Sequence, residues 1–236
     1  MRAAAEKAIQ LDPLLAEAHD ALGMVHARDG QWEQSEKGFR RAIKLNPGRS
    51  LSYGNFAMDL LLVLGRIEEA LQQLRAAEKA DPISPLVHYQ LAYVLTSAGR
   101  YDKAASHCQK LPADSSLKTD CLGRARLGQG RIGEAIQIFA AKPVGNTRAY
   151  LGHAYGRAGR REEAEKLAAD LSPNPFYQTL IFAGLGDKER TLEALDRMTE
   201  LGPLRIGRIL TYSELALVRG DPRLKAIRRK VGSPDP

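Results

Sequence analysis

Long apolar runs are missing from this chain. Leu60 to Leu64 spans five residues, far short of the roughly 18–20 that cross a bilayer. The N-terminus, Met-Arg-Ala-Ala-Ala-Glu-Lys-Ala-Ile, lacks the apolar stretch of a secretory signal, so the chain as written is expected to stay unexported, in the cytoplasm. Aromatic residues make up only 6%, which suits thin helical layers better than a β-rich core. Cysteine is scarce too. Cys108 and Cys121 alone make neither a disulfide framework nor a zinc site. Two readings of the pair stay open: two small buried hydrophobes, or one disulfide between adjacent helices, which needs an oxidising compartment.

Signatures of catalysis are also lacking. There is no GxxxxGK[ST] phosphate loop, HExxH, GxSxG elbow, CxxC or dinucleotide-binding glycine fingerprint. The five histidines, at 19, 26, 88, 107 and 153, are scattered. His107 and Cys108 are neighbours, but successive helical residues point about 100° apart, which argues against a nucleophile–base pair. Glu68-Glu69 and Glu162-Glu163 sit at helix starts, where the dipole favours acids. No residue is therefore assigned as catalytic, cofactor-binding or metal-binding, and no cofactor or enzymatic activity is expected.

Charge is present in quantity. The net charge is +7, with charged residues at 27% and hydrophobic ones at 44%. The basic residues are spread along the chain, largely as Gly-Arg turns and solvent faces. One concentration, Lys225, Arg228, Arg229 and Lys230, lies in the tail. It reads as the solvated face of an amphipathic helix ahead of a nucleic-acid contact.

The organising feature is a repeat. Gly recurs at 30, 65, 99, 130, 159 and 186. Five residues after each comes a small residue: Ser35, Ala70, Ala104, Ala135, Ala164 and Thr191. Four residues further on, five of six positions carry a larger side chain: Phe39, Leu74, Cys108, Phe139 and Leu195, with Ala168 the exception. Pro13, Pro47 and Pro82 close the early units. Glycine suits the tight turn ending a first helix, the small residue permits a close helix crossing, and the larger one fills the hairpin core. Proline cannot continue the second helix. Between these markers the apolar spacing is helical, as in Ala21, Leu22, Val25 and then Phe39, Ala42, Ile43. In one unit, Phe56 to Gly65 spans nine residues where the pattern wants eight. The glycine spacing also contracts to 31, 29 and 27, so the later second helices should be short and the curvature should change after about residue 110.

Ala18-His19-Asp20-Ala21-Leu22-Gly23 with Asp29-Gly30-Gln31-Trp32, and His88-Tyr89-Gln90-Leu91-Ala92-Tyr93 with Gly99-Arg100-Tyr101, resemble units of the tetratricopeptide-repeat family. The resemblance covers roughly residues 1 to 203. It implies an all-α solenoid: a right-handed superhelix of antiparallel helix pairs with a concave groove lined by the first helices. Residues 1–13 would be the second helix of an incomplete repeat, 14–112 three regular units, 113–203 three shorter units, and 204–236 a C-terminal cap and basic tail. By the family's geometry the partner-binding positions in the groove are Met24, Arg28, Asn55, Met58, Tyr89, Tyr93, Arg124, His153 and Arg157. Tyr and Arg favour binding hot spots. Of the positions where co-chaperones of this family clamp an acidic C-terminus (Asp20, Met24, Asn55, Leu86 and Gln90), only Asn55 matches, and that ligand is not expected.

The tail after Pro203, with Gly220-Asp221-Pro222-Arg223 opening a last helix, is similar to the closing segment of repeat regions in bacterial multidomain regulators that carry winged-helix, Ser/Thr kinase or cyclase domains. The expected function is a non-catalytic protein-interaction or sensory scaffold holding a protein or peptide, as the C-terminal part of such a regulator. The periplasm is then an alternative location if that regulator is membrane-anchored. The open first helix could also pack on another copy. Rival readings are the substrate-presenting region of an enzyme whose catalytic domain lies elsewhere, and nucleic-acid association through the basic tail.

Overall fold

The structure, a computed structural model, describes residues 1–232, and those residues contain helices and no strand. Residues 233–236, the end of the expected basic tail, lie outside the described residues. Helix α1 (Arg2–Leu11) precedes six helix pairs. These are α2 (Ala16–Arg28) with α3 (Trp32–Leu45), α4 (Ser50–Phe56) with α5 (Ile67–Ala80), and α6 (Pro85–Ser97) with α7 (Tyr101–Gln109). Then come α8 (Ser116–Gly128) with α9 (Ile132–Ala141), α10 (Asn146–Arg157) with α11 (Arg161–Asp170), and α12 (Pro175–Gly184) with α13 (Lys188–Met198). The chain finishes with α14 (Pro203–Ile209), a 3-10 stretch at Ser213–Val218, and α15 (Pro222–Lys230).

The repeat residues do the work their chemistry suggests. All six turn glycines have φ between +72° and +76°, a region other residues enter only with strain. The small residues Ser35, Ala70, Ala104, Ala135, Ala164 and Thr191 are all fully buried. Ser35 and Thr191 donate their hydroxyls to backbone carbonyls, of Gly23 at 2.9 Å and of Asp187 at 2.6 Å. We expect Ala104→Leu to lower stability by about 1–3 kcal/mol through overpacking. Urea denaturation reads it, and an unchanged midpoint would mean that α6 and α7 do not cross at Ala104.

Two irregularities in the sequence find structural answers. The extra residue between Phe56 and Gly65 is absorbed by a π-helical turn at Ala57–Leu61, where Leu62 N–H donates to the Ala57 carbonyl at 2.9 Å. A π turn is how a helix takes up one residue without losing its far register. The contracted glycine spacing shortens the second helices, from 14 residues in α3 and α5 to 9, 10, 10 and 11 in α7, α9, α11 and α13. In the later part, α10 and α12 meet backbone to backbone through Gly156 and Gly184.

The Gly-Arg turns are ion-pair latches. Arg66 reaches back to Glu36 at 2.7 Å and holds its own unit's Glu69 at 2.6 Å. Arg100 pairs with Glu68, and in the last pair, where Gly186 is followed by Asp187, Arg190 inside α13 makes the same reach to Glu165 at 2.6 Å. Hydrogen bonding to Arg66 holds the Glu36 carboxyl below the usual range, against the opposing effect of partial burial. Exposed pairs of this kind contribute about 0–1 kcal/mol each, so they fix the relation of neighbouring units more than they stabilise the fold. Cys108 and Cys121 form a disulfide joining α7 to α8, with Cα atoms 5.7 Å apart. Cys108 therefore has no thiol to offer beside His107.

The terminal segment departs from a simple cap. Helix α15, capped by the Asp221 side chain on Arg223 N–H, does lie on the last pair: Arg223 meets Glu189 at 2.7 Å and Lys230 meets Asp196 at 3.2 Å. It also reaches the first full unit, where Trp32 Nε1 donates to the Gly232 carbonyl at 2.7 Å. The stretch between Pro203 and Val218 runs along the first helices of the pairs and buries Ile206, Ile209, Leu210, Tyr212, Leu215 and Val218. The expected open inner wall is thus partly filled by the chain itself. These apolar residues break the repeat pattern but still have to leave water, and the aromatic inner wall is where they can do so.

Candidate interaction groove

At the centre of the inner wall stands Arg124 of α8, almost wholly buried. Its guanidinium carbon lies 4.5 Å from the ring centre of Tyr93, 5.0 Å from Tyr150 and 4.6 Å from Tyr212. Its Nε donates to Glu214 Oε1 at 3.1 Å. Nη2 has no hydrogen-bond partner among the described residues, and the ring faces stand in for one through cation–π attraction. Burial by itself would favour loss of the proton. The charge of the Glu214 carboxylate opposes that loss, and the Arg124 pKa is raised further. Burial opposes ionisation of Glu214 as well, yet Arg124 holds its carboxyl below the usual range. The pair is ionised inside the protein.

Two further contacts anchor the terminal segment. The Tyr93 hydroxyl donates to the Tyr212 hydroxyl. Arg208 Nη2 donates to Asp59 Oδ1 at 2.5 Å and to the Met58 carbonyl at 3.3 Å. Both acceptors lie in the π turn, so the one-residue insertion supplies the docking point. Burial pushes the Asp59 carboxyl up, and Arg208 counters it. Nearby, Tyr89 donates its hydroxyl to Asp120 Oδ2 at 2.8 Å.

The groove is not fully occupied. A cavity of about 740 Å³ remains between the π turn, α6, α12 and α14, lined by Met58, Tyr89, Tyr93, Phe176, Tyr177 and Arg208 among others. Arg205 stands exposed at its rim.

Of the positions expected from the sequence, Met58, Tyr89, Tyr93 and Arg124 come together here, with Met58, Tyr93 and Arg124 buried against the terminal segment. Met24 and Asn55 meet each other at 3.5 Å, where Asn55 also donates to Asp20 at 2.9 Å. His153 is not on the open wall as expected. It is buried between α10 and α12 with Nδ1 2.9 Å from the Leu180 carbonyl, because the glycine crossing closes over it. Arg28 and Arg157, in the last turns of α2 and α10, face solvent away from this cluster. Sequence reasoning missed Tyr150, Arg208, Tyr212 and Glu214. The available signal was the loss of the repeat after Pro203 together with continued apolar spacing at Ile206, Ile209 and Leu210.

Profiles of the tetratricopeptide repeat match residues 16–49, 58–117 and 145–170, together about half of the chain. The chain belongs to the tetratricopeptide-repeat family. Among solved structures, a tetratricopeptide-repeat protein from Parabacteroides merdae superposes with a TM-score of 0.69 at 16% identity, over 89% of this chain and 90% of that one. PilF of Pseudomonas aeruginosa gives 0.59 at 14% identity, over 83% and 96%. YrrB, described as a tetratricopeptide-repeat protein with an unusual peptide-binding site, gives 0.52 at 18% identity, over 81% and 97%. At these identities the likeness shows the fold alone. No curated protein matches the sequence. The turn glycines, small crossing residues and paired helices described above are thus the family's repeat unit, and no helix among the described residues is long and apolar enough to cross a membrane.

Proposed function

We propose that this repeat protein is a non-catalytic interaction scaffold, the C-terminal region of a larger bacterial regulatory protein, which grips a peptide or partner domain along the first helices of its pairs. The observation that carries the reading is the way the inner wall already holds a chain segment. Tyr212 and Glu214 seat against Tyr93 and Arg124, so the wall accepts an aromatic side chain and a nearby carboxylate together. The adjoining cavity offers the same chemistry, with Tyr89, Tyr177 and Arg208, and Arg205 at its edge favours an acidic, partly apolar partner. The regulator context is supported by the terminal segment's resemblance to those of bacterial regulators. The Cys108–Cys121 disulfide supports an oxidising compartment, the periplasmic alternative, over the cytoplasm.

The test uses the intact chain as bait in extracts of the source cell, beside Tyr89→Ala and Arg205→Glu variants. A partner retained by the wild type should lose about tenfold or more in affinity in each variant, the scale of an interface hot spot. Equal retention by all three chains would show that the partner binds elsewhere.

A further inference from the structure

Away from the groove, three side chains from three successive helices converge. They are Glu78 at the end of α5, His88 near the start of α6 and His107 near the end of α7. His88 Nδ1 and His107 Nδ1 are 3.4 Å apart, and Glu78 Oε1 lies 3.6 Å from the first and 3.9 Å from the second. The two rings approach with centres 5.6 Å apart, so their Nδ1 atoms are the facing edges. From these separations, a point equidistant from all three atoms is about 2.1 Å from each, the length of a zinc–nitrogen or zinc–carboxylate bond. We propose that Glu78, His88 and His107 form a binding site for a divalent transition-metal ion, zinc by preference, with a fourth position left to water.

The donor set fits that ion. Two imidazoles and one carboxylate are borderline ligands that suit zinc, and they are too poor in oxygen for calcium or magnesium. Access exists: a cavity of about 280 Å³ between the second helices is lined by Glu78 and His107 and opens to the surface. His88 is buried and thereby positioned, while Glu78 and His107 remain partly exposed, so a hydrated ion meets the outer two ligands first. One competitor is in place, since Lys110 Nζ lies 3.3 Å from the same Glu78 oxygen. Its side chain is half exposed and flexible, and it can swing into solvent when an ion arrives. Bound there, the ion would tie the end of one repeat to both helices of the next. The three ligands are 10 and 19 residues apart in sequence, and no metal-binding spacing announces them.

The experiment is calorimetric titration of zinc chloride into the untagged, disulfide-bonded chain, so that free thiols cannot take the metal. One ion per chain is expected, and the melting temperature should rise with zinc concentration, as it does for any ligand of the folded state. Cobalt in place of zinc should give the intense visible bands of a four-coordinate site. His107→Ala and Glu78→Gln, both at partly exposed positions, should each weaken binding by at least about tenfold, since even outer-shell partners are worth that much. Lys110→Met should tighten it. Absence of saturable one-to-one binding overturns the proposal. So does binding that both ligand variants leave unchanged while their melting temperatures without metal match the wild type.

Discussion

Replacing Arg124 with Leu is expected to destabilise the protein by about 3–5 kcal/mol, the cost of leaving one partner of a buried ion pair without its counter-charge. The stranded group is Glu214, whose side chain is 4% exposed. Its remaining side-chain donor is the uncharged Ser213 hydroxyl, at 3.1 Å from Oε2, which does not replace a counter-charge. The loss should be local before it is global. The segment from Pro203 onward is held by Arg124, by the Tyr93–Tyr212 hydroxyl contact and by Arg208 on Asp59. Weakening the first of these should loosen the backbone around Arg205, Arg208 and Arg219 enough for trypsin to cleave there while the repeats stay folded. Urea denaturation and timed proteolysis together read the effect. The double variant Arg124→Leu with Glu214→Leu should recover most of the loss, since apolar replacement of a whole buried pair is often neutral. An Arg124→Leu chain with wild-type stability would mean that the terminal segment does not occupy the inner wall.

The second large effect is expected at Gly184. A Cβ there would fall 2.4 Å from the His153 carbonyl oxygen and 2.6 Å from the His153 Cα. Both are backbone atoms, so no rotamer change relieves the clash, and α10 and α12 must move apart. Gly184→Ala should therefore cost about 2 kcal/mol or more, overpacking exceeding the roughly 1 kcal/mol that alanine gains over glycine in a helix. Gly133→Ala is the control. It sits exposed in α9 with nothing within 4 Å of its added methyl, and should be neutral to slightly stabilising. Opposite signs for two identical substitutions in helices would locate the effect in the crossing. Equal signs would refute the close approach. Because the crossing brings α12 inward, with Phe176 and Tyr177 facing the groove cavity, Gly184→Ala should weaken partner binding as well as the fold.

The sequence by itself determined the repeat unit. A positive-φ glycine, a small residue five positions on and a larger one after four more are local requirements of a helical hairpin, and all but the larger residue at Ala168 are met where the pattern places them. It also marked the two places where the pattern strains: the extra residue after Phe56, which became a π turn, and the contracted spacing, which shortened the later helices. Tertiary structure alone decided what the inner wall faces. Whether Tyr93 and Arg124 meet solvent or Tyr212 and Glu214 depends on how far the stacked pairs curl, a small rotation per unit summed over six units. That sum rests on contacts between residues distant in sequence, such as Gly184 on His153 and Trp32 on Gly232. The convergence of Glu78, His88 and His107 has the same origin. Periodicity constrains neighbours within a helix pair, whereas side-chain meetings across units are fixed only when the whole stack closes.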